Sequence, residues 1–384
     1  MKRFKTVFIV VAMGSIAFYG CKKGDLTQES ASLSQNVSQK VIKPENDNPG
    51  AVYVLSNSAS GNEVLTYNRS SKGSLSVGNS FATGGNGNGS GLGSQGSLIL
   101  QENYLYAVNA GSNEVSVFRV GDDQLTLVDK ASSHGIMPIS VTVHGDLLYV
   151  VNAGGSGDIS GFHISADGHL AYLENSTRAL SSDAAGPAEI HFNNQGTQLV
   201  VTEKNTNGIS TYTVHSNGLT DNVVFHPAVG ITPFGFAFNN QDQLFVTDAF
   251  GGAAGQSAVT SFQLSDNGNL SLIDGPVGTN QTSACWLAIT NNGRYCYATN
   301  TGSASITGYS IHDGKLTRLN ADGVTANTGT TPIDVSLSNN SKFLYNVNST
   351  SHSITMFHVN EDGSLDALGN VGGLPASAVG IAAK

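Results

Sequence analysis

Beyond residue 50 the apolar residues come in short bursts that alternate with polar ones and stop at Asn, Asp, Gly or Ser. Alternation of period two, bounded by turn residues, predicts β-strands rather than helices. The bursts repeat as a unit: LYAVNAGSNEVSVFRVGDDQL, LYVVNAGGSGDISGFHISADGHL and LYNVNSTSHSITMFHVNEDGSL are three of seven copies. The residue closing the leading strand of each copy is Asn57, Asn109, Asn152, Glu203, Asp248, Asn300 and Asn348, at intervals of 43 to 52 residues. That is the period of a four-stranded propeller blade.

From the second copy on, a further apolar segment stands ahead of each, usually after Pro, as in PISVTVHG, PAEIHFNN and PFGFAFNN. The first copy has none, and the last segment, PASAVGIAAK, has no copy behind it. Residues 376 to 383 are therefore expected to form the innermost strand of the blade built by residues 51 to 83, closing the ring and removing its exposed edges. The fold expected is all-β, a seven-bladed propeller of four-stranded antiparallel blades. Residues 51 to 384 form one domain, because each blade packs on its neighbours instead of on one oversized core.

Composition agrees. The chain is 39% hydrophobic and 12% charged, with 46 glycines among 384 residues, which favours turn-rich β structure. A net charge of −10 without a basic run excludes the electrostatic footprint of a nucleic-acid binder. The first 20 residues read as a lipoprotein-type signal peptide: Lys2, Arg3 and Lys5 precede an apolar stretch too short to span a bilayer. That stretch ends FYGC, which resembles a lipobox and marks Cys21 for a lipid anchor. Residues 21 to 50 are polar and aperiodic, as in a flexible tether. The expectation is a monomeric, membrane-anchored lipoprotein of the cell envelope.

Cys285 and Cys296 flank a hairpin turn that places Cys296 opposite Ile289, so the two thiols are too far apart to bridge and should be free and buried. In a propeller the starts of the inner strands and the ends of the second strands converge on one mouth. This places Asn109, Asn152, Glu203, Asp248, Asn300 and Asn348 there, with Glu189 and Asp334 near the starts of their inner strands. Asn and Asp also end strands for purely local reasons, by bonding nearby backbone. As a ring, their oxygens suit a divalent cation or the hydroxyls of a saccharide. His134 and His226 lie on loops leading toward the mouth and are secondary candidates. The glycine-rich stretch NGNGSGLGS, residues 86 to 94, reads as a long flexible loop rather than a phosphate cradle, since it does not join a strand to a helix. No nucleotide, zinc or nucleophile-elbow motif is present.

The repeat LYVVNAG…ISGFHI…DGHL and the segment PAEIHFNNQGTQLVVTEKNTNGISTYTV resemble the lactonase family of seven-bladed propellers, which includes 6-phosphogluconolactonase-like and carboxymuconate cyclase-like members and is related to YVTN-repeat propellers. The resemblance implies candidate catalytic groups at Glu189, His191, Glu203 and Lys204, with Ala188 to His191 matching the family's Ala-Glu-Ile-His. It also implies arginines after Pro138 and Pro233, where this chain has Ile139 and Phe234, and a His where Ser140 stands. Loss of planar cationic forks weakens recognition of carboxylate or phosphate. Two functions follow: a module binding a small molecule, saccharide or protein at the mouth, or a lactone-opening hydrolase with an altered substrate.

Overall fold

Seven antiparallel sheets follow one another around a ring, and a computed structural model describes them over residues 48–122 and 124–384. The expected signal peptide, Cys21 and most of the tether lie outside the described residues. The described residues form one compact unit. The first described strand, Gly50–Leu55, begins one residue ahead of the expected boundary.

Each sheet runs inner strand, second strand, third strand, outer strand. The inner strands are Leu98–Gln101, Pro138–His144, Pro187–Phe192, Pro233–Phe238, Ala284–Ile289, Pro332–Leu337 and, closing the first blade, Val379–Ala383. Second strands such as Gln198–Glu203 and Phe343–Asn348 are buried at every residue, because a neighbouring blade covers each face. Outer strands such as Leu365–Gly372 meet solvent and are mostly exposed. In the third and sixth blades the outer strand is broken into two short pieces.

The C-terminal strand pairs with the first as expected, Val52 facing Ala383 and Val54 facing Ile381, although it starts at Val379 rather than at residue 376. The preceding residues are spent on a turn in which the Ala378 amide donates to the Pro375 carbonyl. Cys296 faces Ile289, and both described cysteines are free and buried.

Buried tyrosines join successive blades. The hydroxyls of Tyr149, Tyr297 and Tyr345 donate to the carbonyls of Gly218, Gly363 and Gly73 at 2.8 to 2.9 Å, each in the outer hairpin of the next blade. Those glycines sit at φ of +82 to +84°, a conformation that costs other residues energy and that turns the carbonyl toward the hydroxyl. On the face where inner strands turn into second strands, asparagines step from blade to blade. The Asn194 amide donates to the Asn239 carbonyl, that of Asn240 to Asn291, and that of Asn291 to Asn339.

Candidate functional site

The ring encloses a central channel. Its upper mouth lies where inner strands begin and second strands end, and its lower mouth lies at the asparagine-bearing turns.

A bulge interrupts the pairing near the start of six inner strands, between Pro138 and Ser140, Pro187 and Glu189, Pro233 and Phe236, Ala284 and Trp286, Ile333 and Val335, and beside Gly380. Bulges re-aim side chains. At or just past them Ser140, Glu189, Gly235, Trp286, Asp334 and Gly380 occupy equivalent positions. Inner strands have an unpaired edge toward the axis, and side chains at this level cap the next blade's free amides. The Ile190 amide donates to Ser140 Oγ at 3.2 Å, the Phe236 amide to Glu189 Oε2 at 2.7 Å, and the Ile381 amide to the Asp334 carboxylate. Gly235 has no side chain to offer. Its duty passes to Gln95, whose Oε1 accepts from the Leu287 amide while its Nε2 donates to the Leu287 carbonyl, both at 2.9 Å.

Gln95 belongs to the glycine-rich connection between the first two blades, and this segment crosses the upper mouth. Asn57, just past the first strand of the first blade, anchors its beginning, donating through its amide to Asn88 Oδ1 and the Ser90 carbonyl. Further on, the Lys204 ammonium donates to the Gly93 carbonyl at 2.6 Å, Trp286 Nε1 to the Ser94 carbonyl at 2.8 Å, and Ser94 Oγ to the Ile139 carbonyl at 2.9 Å. The Gln95 amide reaches the Ala188 carbonyl at 3.0 Å. The stretch read as a free loop is thus pinned to four blades. Nothing in its local pattern signals this, apart from the unusual length of the connection.

Around the plug the mouth is apolar. Ile139 and Phe234 are buried, and Phe234 packs on Trp286 with ring centroids 4.9 Å apart. Lys204 Nζ lies 4.9 Å over the Phe234 ring and also donates to the Pro187 carbonyl, and burial pulls its pKa down to about 8.

The strand-end residues do not meet one another. Each is buried in its own blade, and most bond the third strand: Asn109 Nδ2 to Ser116, Asn300 to Thr307 and Asn348 to Thr355, at 2.7 to 2.9 Å. Asn152 donates to Asp158 at 2.7 Å, and Asp248 accepts from Thr260 at 2.5 Å. Glu203 is enclosed by the hydroxyls of Ser181, Thr206 and Ser210. His134 lies on the expected loop but stacks on Tyr172 of an outer strand, ring centroids 3.6 Å apart, and His226 lies not on a loop but on outer strand Val224–Pro227, bonded to Thr211. Inter-blade loops leave from outer strands, so only their final residues approach the channel.

Glu189 and Asp334 are the charged candidates brought to the channel. Burial, with Asp334 adding to it, raises the Glu189 carboxyl well above the usual range, and burial pushes Asp334 up to about 8. Two residues below Glu189 on the same face, His191 lines a cavity of about 310 Å3 that opens at the lower mouth, with Leu98, Thr142, Val143, Ser336 and Ala382 among its walls. Its Nδ1 donates to the Phe192 carbonyl at 2.6 Å, and its side chain is the exposed one of an otherwise buried strand. Among the described residues no group of three His, Cys, Asp or Glu side chains is placed to hold a metal.

No curated protein sequence matches the chain. Solved structures share its fold. A putative 6-phosphogluconolactonase from Bacteroides fragilis is 19% identical, with a TM-score of 0.66 over 88% of this chain and 98% of that one. The Bacteroides uniformis counterpart is 19% identical, with a TM-score of 0.67 over 86% and 99%. A periplasmic gluconolactonase of Pseudomonas aeruginosa is 16% identical, with a TM-score of 0.66 over 87% and 98%. The family described as "Lactonase, 7-bladed beta-propeller" matches residues 46–180, 173–274 and 255–376, and the chain belongs to it.

Proposed function

We propose that this chain is a binding propeller, tethered at a cell envelope, that keeps the lactonase fold without lactone chemistry on anionic sugars. The observation that supports this reading is the use made of Lys204: its ammonium is committed to the Gly93 and Pro187 carbonyls, holding the plug in the mouth. Opening a phosphorylated or carboxylated lactone requires cations for the anion and an acid–base group at the ring oxygen. Ile139 and Phe234 supply no charge. The N-terminal charge pattern and Cys21 support tethering.

The second reading, a hydrolase with an altered substrate, draws on Glu189 and His191 sharing one face of an inner strand. Incubating the full chain with 6-phosphogluconolactone and neutral gluconolactone, with and without a divalent metal, separates the two. No turnover above buffer is expected. Hydrolysis that disappears in Glu189→Gln would overturn the binding reading.

A further inference from the structure

The seam between the first and seventh blades carries a cleft of its own, apart from the channel. It holds about 800 Å3 and lies at the upper rim, between the hairpin joining Gly50–Leu55 to Glu63–Arg69 and the turn at residues 373–375 that leads into the closing strand. Strand alternation decides what faces it. On Glu63–Arg69, Val64 packs into the core shared with the second blade, beside Leu98 and Val115, whereas Leu65 packs against the cluster that holds Leu374 with Phe343 and Met356 of the seventh. Glu63 shares Leu65's side of the pleat and so stands in the cleft wall.

Three third strands begin on an acid: Glu63, Glu114 and Asp158. Two are satisfied within the protein. Glu114 accepts from Lys130 and from Ser112, both at 2.6 Å, and Asp158 accepts from Asn152 at 2.7 Å. Glu63 makes only a backbone bond, its amide donating to Ser56 Oγ at 2.8 Å, and among the described residues no donor reaches its carboxylate. The Ser56 hydroxyl is spent on Asn62 Oδ1, and the residue across the strand pair, Ala82, has nothing to give. Lys130 touches the Gly84 carbonyl at the edge of the cleft but is held by Glu114, and neither Lys nor Arg lines the cleft.

The rest of the wall mixes hydrogen-bonding groups with hydrocarbon. Ser60 and Asn86 are exposed on the rim, and Leu65 and Pro375 are half-buried below them. Gly61 and Gly373 keep the space clear, since a Cβ at either would meet nothing within 4 Å. The walls are set before any ligand arrives: Ser377 Oγ donates to the Ser56 carbonyl at 2.7 Å, the Asn62 amide to the Gly85 carbonyl at 2.9 Å, and the Gly87 amide to the Ser58 carbonyl at 2.8 Å. A preformed cleft of this volume is ligand-sized. Its carboxylate calls for a cationic donor, its hydroxyl and amide for groups that both give and accept, and its apolar floor for a C–H face.

We propose that the seam cleft binds a saccharide bearing a free amino group, the ammonium donating to the Glu63 carboxylate, ring hydroxyls meeting Ser60 and Asn86, and a C–H face lying on Leu65 and Pro375. The site is separate from the channel. Its failure leaves the reading above intact, and lactone turnover, which would remove that reading, leaves this one standing.

The test is calorimetry on the full chain with a linear glucosamine trisaccharide at about pH 6, where such an amine carries its proton. Three controls divide its features: the N-acetylated trisaccharide keeps the rings without the charge, spermidine keeps the charge without the rings, and a galacturonate trisaccharide reverses the charge. Expected are saturable binding of the glucosamine form and binding of every control weaker by at least about tenfold. Glu63→Gln should bring the glucosamine form down to the level of the acetylated one. Ala82→Lys sets an ammonium directly across the strand pair from Glu63, as Lys130 serves Glu114, and should abolish the preference without lowering the melting temperature. Equal binding of the acetylated form or of spermidine, no saturation below about 10 mM, or wild-type affinity in either folded variant would sink the proposal.

Discussion

Gln95 pairs with both backbone groups of Leu287, 192 residues away and on the far side of the ring. The pairing takes over the task that Gly235, which faces the channel without a side chain, cannot perform. A Cβ on Gly235 would meet Gln95 Oε1 at 2.2 Å and the Cys285 carbonyl at 2.7 Å. Gln95→Ala should lower stability by about 1–3 kcal/mol, since it strands a buried amide and carbonyl. Gly235→Ala should cost at least as much by expelling the glutamine. The two losses should be less than additive in a double-mutant cycle measured by denaturant unfolding, and full additivity would mean that the contact is incidental.

Asp248 provides a stability change with pH. Burial raises its carboxyl from 3.8 to about 7 in the folded chain. Between those values the folded state holds a proton that the unfolded state has released, so stability falls as pH rises from about 4 to about 7 and the loss is complete above that. The row residue is Asn in the five other blades that lack an acid there, and in three of them, at Asn109, Asn300 and Asn348, its amide donates to a third-strand hydroxyl. Asp248→Asn should therefore raise the melting temperature at pH 8, by about 1–2 kcal/mol of stability, with little change at pH 4. Glu189 and Asp334 act in the same direction, so the variant should flatten the profile without levelling it. Unchanged melting at pH 8 would count against the burial argument.

Removing residues 379–384 strips Gly50–Leu55 of its inner neighbour and exposes a strand edge beside a buried wall that includes Ile381 and Ala382. A loss of several kcal/mol is expected, seen as a broadened, lower thermal transition and increased light scattering. A shortened chain that melts like the full one would show the seam to be idle.

Cys285 and Cys296 should resist thiol reagents. Burial raises the Cys285 thiol to about 12 and also raises Cys296, and the reactive thiolate is correspondingly scarce. Titration with a chromogenic disulfide should gain two thiols when denaturant is added. Their reaction in the native state would place at least one of them in an open path.

The ring, its count and its closure were legible because each depends on a repeated local pattern: apolar alternation, a terminal Asn, a missing strand at one end and a spare one at the other. The register of Cys296 against Ile289 followed from a turn of known length. The plug did not show. Gly93, Ser94 and Gln95 dock through backbone groups, one hydroxyl and one side-chain amide onto partners scattered across three blades, and no periodicity encodes such contacts. The strand-end row was visible as a row, but whether Asn109 or Glu203 faces a lumen or a neighbouring strand depends on twist and on the small hydroxyl residues opposite them. Glu189 and Asp334 reach the channel because of bulges that leave no trace in composition.

The seam of the ring also determines how the molecule carries load. Arg69 donates to the carbonyls of Asn48 and Lys384 and lies 5.4 Å over the Phe343 ring, clamping both ends of the described chain to the first sheet. The strand Gly50–Leu55 that follows Asn48 is flanked on one side by Glu63–Arg69 and on the other by Val379–Ala383. Tension applied ahead of Asn48 therefore shears two ladders at once, their hydrogen bonds loaded in parallel rather than opened one at a time, so the joint that completes the circle is also built to resist pulling.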